Sequence, residues 1–149
     1  MKSKKLRKDL SEHKVIGVDT GIFIKHFQGG EDSELTSVVL GEIQGGSTQG
    51  IVSSISLAEL MVRPLEVGED DLADLYRVLI HEMPNPETIS VDPRIASRAA
   101  EIRAAGKMGP NESLLLATAQ ESGATAFVTS DPGLKQAKGI KVMVLNEYH

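Results

Sequence analysis

The chain has 149 residues, a length that suits one globular domain. Hydrophobic residues make up 40% and charged residues 25%, which is the composition of a globular protein and not of a disordered one. The absence of cysteine excludes disulfides and thiolate metal sites and favours a reducing cytoplasm. No apolar run approaches the roughly 18 residues of a membrane helix, and no apolar segment follows the basic N-terminus as it does in a secretory signal.

Charge is distributed unevenly along the chain. Residues 1–14 carry six Lys or Arg and two Asp or Glu, whereas the other 135 residues carry 10 and 19, a net charge of −9. An acidic body argues against nucleic-acid binding through a broad basic face, but not against phosphates held through metal ions. We expect residues 1–13 to be a flexible basic arm, which either attracts RNA phosphates or only aids solubility, and residues 14–149 to be a single domain.

The first half of the domain alternates short apolar runs with helical periodicity. Val15–Val18 is predicted to be a buried strand that ends at Asp19-Thr20-Gly21. Helical patterns follow it up to the glycine pairs at 29–30 and 45–46, which end helices. The next predicted elements are a strand at 50–53 and helices at 56–63 and 69–83.

The second half repeats this alternation. A strand is predicted at 88–91, and Asp92-Pro93 is a strong helix start, with Asp as the cap and Pro in the first turn. A helix at 110–122 and strands at 125–129 and 140–145 follow. This alternation predicts a three-layer α/β/α sandwich around a mostly parallel five-stranded sheet, although the pattern alone does not give the strand order.

Four carboxylates occupy positions that suit a ligand site. Asp19 and Asp131 come directly after predicted strands, and ligands of open parallel sheets bind beyond the carboxyl ends of strands. Glu59 lies in the helix after the second strand, and Glu112 opens the helix at 110–122. If the four converge, their mutual repulsion calls for a cation, and oxygen donors without Cys or paired His favour Mg²⁺ or Mn²⁺. Such ions activate water and neutralise a phosphodiester during displacement.

Each acid also has a purely structural interpretation. Asp19 and Asp131 could only cap the helices that follow them. Glu112 could complement a helix dipole, and Glu59 could face solvent. The order and local setting of the four acids, rather than any one of them, carry the prediction.

This arrangement resembles the PIN-domain family, in particular the VapC-like toxin nucleases of bacterial toxin–antitoxin pairs, from Val15 to Leu145. The segment VIGVDTGIFIKHF is similar to the family's opening strand, whose first metal-binding Asp is matched by Asp19. The segment SSISLAELMVRPL is similar to the one that carries a helical Glu, matched by Glu59. The segment MGPNESLLLATAQESGATAFVTSDPGL resembles the C-terminal signature, in which Asp131 matches the last acid and Thr129 its supporting hydroxyl.

The third acid departs from the family pattern. Where the family usually carries Asp, this chain has Asn111-Glu112, and the LATA stretch puts Glu112 in register with that Asp. A slip of one residue would place the neutral Asn111 there instead. Glu keeps the charge but adds a methylene, which moves the carboxylate by about 1.5 Å. Thr20 is a further candidate to position a carboxylate, although a role in the turn is an alternative.

The resemblance implies the sheet order 3-2-1-4-5, cleavage of RNA with Mg²⁺ or Mn²⁺, homodimers, and a cognate antitoxin that holds the toxin inactive. A second hypothesis is a PIN-like module that binds RNA or protein with weak or no nuclease activity, because Glu112 replaces the usual Asp. A phosphohydrolase of the haloacid-dehalogenase type is disfavoured, since that family needs a second Asp where this chain has Gly21.

Overall fold

The computed structural model describes residues 2–148, which form a five-stranded sheet covered on both faces by helices. The strands lie in the order β3-β2-β1-β4-β5, and each neighbouring pair is parallel. This confirms the predicted order and the three-layer architecture. The strands are β1 Val15–Val18, β2 Gln49–Ser53, β3 Pro86–Ile89, β4 Ala126–Thr129 and β5 Lys141–Val144.

Seven α-helices occupy the described residues, and two short 3₁₀ helices, Pro132–Gln136 and Leu145–Tyr148, accompany β5. The helices are α1 Lys2–Ser11, α2 Thr20–Gln28, α3 Ser33–Gln44, α4 Ser54–Glu66, α5 Asp70–Glu82, α6 Pro93–Ala105 and α7 Pro110–Glu121. The predicted helix start at Asp92 is confirmed, because its side chain accepts a capping hydrogen bond from the backbone N–H of Ile95. The helix predicted to start at 56 begins two residues earlier, at Ser54, and Ser53 caps it by accepting from the backbone N–H of Ile55.

Alternate residues of the central strands face two separate cores. Ile16 and Val128 pack with side chains of α1 to α5 on one face of the sheet, and Phe127 packs with α7 on the other. Gly17 lets α7 approach closely, because a Cβ there would lie 2.5 Å from the Cβ of Ala119 and 2.7 Å from the ring of Phe127. The last turn of α7 is thereby held against β1.

The N-terminal segment corrects one expectation, because the predicted flexible arm at 1–13 is a helix over Lys2–Ser11. Met1 lies outside the described residues. Leu6 and Leu10 are 0% exposed and belong to the core beside α3. Tyr148 Oη donates to Asp9 Oδ2 at 2.6 Å, and Arg7 Nε donates to Glu42 Oε1 at 2.8 Å. The four-residue spacing of the two leucines is the helical signal that the basic composition obscured.

We expect Leu6→Ala to lower the free energy of unfolding by about 2–5 kcal/mol, since truncating a fully buried Leu leaves a cavity. The measurement is equilibrium unfolding in urea. Lys4→Ala on the exposed side of α1 is the control and should change stability by less than about 0.5 kcal/mol. If Leu6→Ala changes the free energy of unfolding as little as Lys4→Ala does, α1 is not part of the cooperative fold.

Candidate active site

The four predicted acids lie around one cavity at the carboxyl edge of the sheet. Asp19 and Asp131 follow the adjacent strands β1 and β4, where the strand order reverses, and this is the usual ligand position in such sheets. Glu59 comes from α4 and Glu112 from the first turn of α7. The cavity has a volume of about 390 Å³, and its polar lining is Asp19, Thr20, Glu59, Asn111, Glu112 and Asp131.

Asp19 is held by β4 rather than by its own helix. It occupies the N-cap position of α2, but its side chain makes no capping hydrogen bond there. Instead its Oδ2 accepts a hydrogen bond of 2.5 Å from Thr129 Oγ1, and Thr129 is completely buried. Asp19 therefore faces the cavity. Its side chain does not cap α2, so the interpretation as a helix cap only is wrong.

Burial raises the pKa of the Asp19 carboxyl, and the nearby charges of Glu59 and Asp131 raise it further. The hydrogen bonds from Thr129 and from the backbone of Thr20 oppose this shift because they favour the carboxylate. Among the described residues, no Lys, Arg or His forms an ion pair with any of the four acids. Within residues 2–148, the cavity thus concentrates negative charge that no ion pair neutralises.

Glu59 is fixed by hydrogen bonds from two directions. Thr20 Oγ1 donates to its Oε1 at 2.6 Å, and Asn111 Nδ2 donates to its Oε2 at 3.2 Å. Ser56 Oγ lies 2.7 Å from Thr20 Oγ1, and it is the donor because the Thr20 proton points to Glu59. Ser56 was not among the residues predicted from the sequence, although its spacing of three residues from Glu59 puts both on one face of α4.

The other two acids are turned toward backbone. Asp131 is exposed, and its Oδ1 accepts from the N–H of Gly133 at 2.9 Å, so it caps the 3₁₀ helix as well as bordering the cavity. The carboxylate of Glu112 lies against Gly109, where a Cβ would collide with it. The structure keeps Glu112 at the N-terminus of α7, the position in which a negative charge complements the helix dipole.

The donor set suits a hard divalent cation in its chemistry, because it consists of carboxylates whose repulsion is not neutralised. As these side chains stand, no three His, Asp or Glu residues within 2–148 are close enough together to enclose an ion. Asp19 and Glu59 are oriented by neighbouring hydroxyl and amide groups, whereas Asp131 accepts from the backbone of Gly133 and Glu112 lies against Gly109. Coordination of one cation by three or more of these acids therefore requires side chains to reorient.

Fold and site together define a parallel α/β domain with an acidic cavity at the switch in strand order. The PIN domain family model matches residues 16–140, and the chain belongs to this family. No curated protein matches its sequence. Within residues 2–148, no helix is both long and apolar enough to cross a membrane.

Solved structures with the same fold come from bacterial complexes. A chain in the structure of VapBC2 from Rickettsia felis bound to a DNA fragment from their promoter is 18% identical, with a TM-score of 0.71, over 87% of this chain and 98% of that one. A toxin–antitoxin complex from Klebsiella pneumoniae contains a chain that is 21% identical, with a TM-score of 0.66, over 87% and 97%. FitAcB from Neisseria gonorrhoeae has a chain at 18% identity and a TM-score of 0.64 over the same shares. At these identities the similarity shows the fold.

Proposed function

We propose that this PIN domain is a divalent-metal-dependent endoribonuclease that acts in the cytoplasm as the toxin of a bacterial toxin–antitoxin pair. The observation that carries the proposal is the meeting of four carboxylates around one cavity at the switch point of the sheet. Membership of the PIN family and the similarity in fold to chains of toxin–antitoxin complexes support it.

Asp19, Glu59, Glu112 and Asp131 are the residues that would hold Mg²⁺ or Mn²⁺. A bound divalent ion supplies an activated water and neutralises the negative charge of the phosphodiester in displacement. The chain's own contribution is orientation. Thr129 fixes the carboxylate of Asp19, and Thr20 fixes that of Glu59. Such outer contacts commonly change metal affinity or activity by about 10–100-fold when removed.

An apolar groove beside the acidic cavity supports a protein partner. It has a volume of about 490 Å³ and shares Glu59 with the acidic cavity; its apolar lining is Ile24, Leu60, Pro64, Val67, Leu72 and Tyr76. Val67, which follows α4 and lines the groove, is 61% exposed. Apolar surface left open in this way is typical of a docking site. An antitoxin segment lying in this groove would cover Glu59 and prevent access of RNA.

The outer face of α5 suits a second copy of the chain. Leu75, Val78 and Leu79 recur at helical spacing and are 49%, 46% and 37% exposed. Burying such a stripe against its symmetry mate is the common route to a homodimer. We therefore propose that the enzyme is a homodimer that pairs through α5.

A second candidate function, favoured by the position of Glu112, is a module that binds RNA or protein with little or no cleavage. The Glu112 carboxylate lies against Gly109 at the start of α7, and no three acids of residues 2–148 stand close enough together to enclose an ion. Cleavage would then be weak, whereas binding surfaces outside the cavity would remain.

Incubation of the protein with a mixed pool of tRNA and mRNA separates these candidates. We expect internal cleavage with Mn²⁺, weaker cleavage with Mg²⁺, and none with EDTA. Defined fragments after addition of metal would support the nuclease. Intact RNA under all three conditions, from a protein shown to be folded by circular dichroism, would favour the binding module.

A further inference from the structure

The exposed side of α1 forms a basic surface on an otherwise acidic protein. Leu6 and Leu10 face the core, which leaves Lys4 and Lys8 one helical turn apart on the opposite side. Neither lysine forms an ion pair with any described residue. Lys5 and Arg7 flank them, and their side chains remain 69% and 56% exposed although each pairs with an acid.

The positive charge continues beyond the helix. The hydrogen bond from Tyr148 lowers the pKa of Asp9, whereas burial acts in the opposite direction and raises it. The positive charges of Lys5 and Lys141 lower this pKa further. Lys141, at the start of β5, therefore lies within electrostatic reach of α1. The surface formed by Lys4, Lys5, Arg7, Lys8 and Lys141 is called the α1 basic surface below.

The α1 basic surface is separate from the acidic cavity. Residues 12–14 join α1 to the start of β1, whereas Asp19 follows the end of that strand. The family match begins at residue 16, so α1 lies outside the part of the chain that the PIN family model describes. The helix is nevertheless rigidly placed, because its leucines and Tyr148 fix it to the body.

We propose that the α1 basic surface binds the sugar–phosphate backbone of RNA outside the catalytic cavity. The choice of RNA rests on the proposed ribonuclease function. Lysines held on a fixed helix match an anionic backbone in charge, and such contacts carry affinity without reading the base sequence. A membrane surface is disfavoured, because an interfacial helix needs an apolar face and the leucines of α1 are already buried. The α1 basic surface thus supplies phosphate contacts from lysine and arginine side chains, which, among the described residues, do not line the acidic cavity.

The test is binding of a short, fluorescently labelled single-stranded RNA, followed by anisotropy in EDTA so that cleavage and metal binding do not contribute. We expect K4Q/K8Q to weaken binding about tenfold and to reduce the slope of log Kd against log salt by about 1.4, since each single-strand phosphate contact contributes about 0.7. The matched control is K107Q/K138Q. It removes the same charge from exposed, unpaired lysines near the α7 core.

Equal affinities and equal salt slopes for the wild type and K4Q/K8Q would overturn the inference, as would the same loss in K107Q/K138Q. Binding to anionic phospholipid vesicles without binding to RNA would also overturn it, in favour of a membrane role. The inference and the proposed function fail separately. RNA bound through α1 but never cleaved contradicts only the nuclease, whereas cleavage with unchanged affinity in K4Q/K8Q contradicts only the basic surface. Urea unfolding of each variant confirms that the helix is intact.

Discussion

Asp19→Asn is expected to reduce metal-dependent RNA cleavage by well over 10²-fold, since loss of even an outer contact to a metal ligand costs about 10–100-fold. Asn retains an oxygen that accepts from Thr129, so the loss would reflect the missing charge rather than a disturbed contact. Titration calorimetry with Mn²⁺ should show binding by the wild type and none by the variant. Equal binding by both proteins would place the metal elsewhere.

The same substitution should stabilise the metal-free protein. The folded protein raises the pKa of Asp19, so it binds this proton more tightly than the unfolded chain does. The stability contributed by this group is therefore lost as pH rises from below its unfolded pKa through its folded pKa. At neutral pH Asn removes this penalty, and thermal unfolding in EDTA should occur at a higher temperature than for the wild type.

Asp92→Asn is the matched control for both measurements. Its carboxylate caps α6 away from the cavity, and Asn retains the capping oxygen. It should leave cleavage and Mn²⁺ binding unchanged. Activity lost together with a lower unfolding temperature in Asp19→Asn would instead indicate a merely structural aspartate.

Glu112→Asp should raise the Mg²⁺-dependent cleavage rate, by up to about 10²-fold, because a misplacement of about 1 Å in a reacting group can cost this much. Glu112 retains the family's charge on a longer side chain, and the structure turns that carboxylate onto Gly109. We expect the native enzyme to favour Mn²⁺, since Mg²⁺ demands near-ideal octahedral geometry. Glu112→Gln should lower the rate with either metal.

Glu121→Asp supplies the control on the same helix. Glu121 ends α7 and pairs with Arg94 and Arg98 outside the cavity, so shortening it should leave cleavage unchanged. If Glu112→Gln cleaves as fast as the wild type, Glu112 is no ligand. Its role is then confined to the helix dipole, and Asn111, which already donates to Glu59, becomes the relevant residue of this turn.

The fold was predictable wherever local chemistry determines it. Val15–Val18 and the cap at Asp92 come from short-range patterns, and both are confirmed. The order of strands depends on packing between distant segments, so it came only from the resemblance to the family. The arm at 1–13 was predicted wrongly, because a high density of Lys hides two leucines whose partners, such as those of α3, lie far along the chain.

The sequence predicted which acids border one cavity, but not how their side chains are oriented. Asp19 and Asp131 could be identified because they follow predicted strands. No local sequence pattern indicates that Asp19 accepts a hydrogen bond from a hydroxyl and Asp131 from a backbone N–H. The contact of Asn111 with Glu59 joins residues 52 positions apart, so sequence spacing carries no signal for it. Whether these side chains bind metal stays a prediction.

The pairing of β1 with β4 has a consequence for the order of folding. Thr129 and Asp19 are 110 positions apart, and their hydrogen bond exists only when these two strands lie side by side. Closing so long a loop is slow compared with forming local helices, so this contact belongs to the last stage of assembly. Partly folded chains, including nascent ones, therefore lack a completed acidic cavity, so any activity of that cavity can arise only when nearly the whole domain has formed.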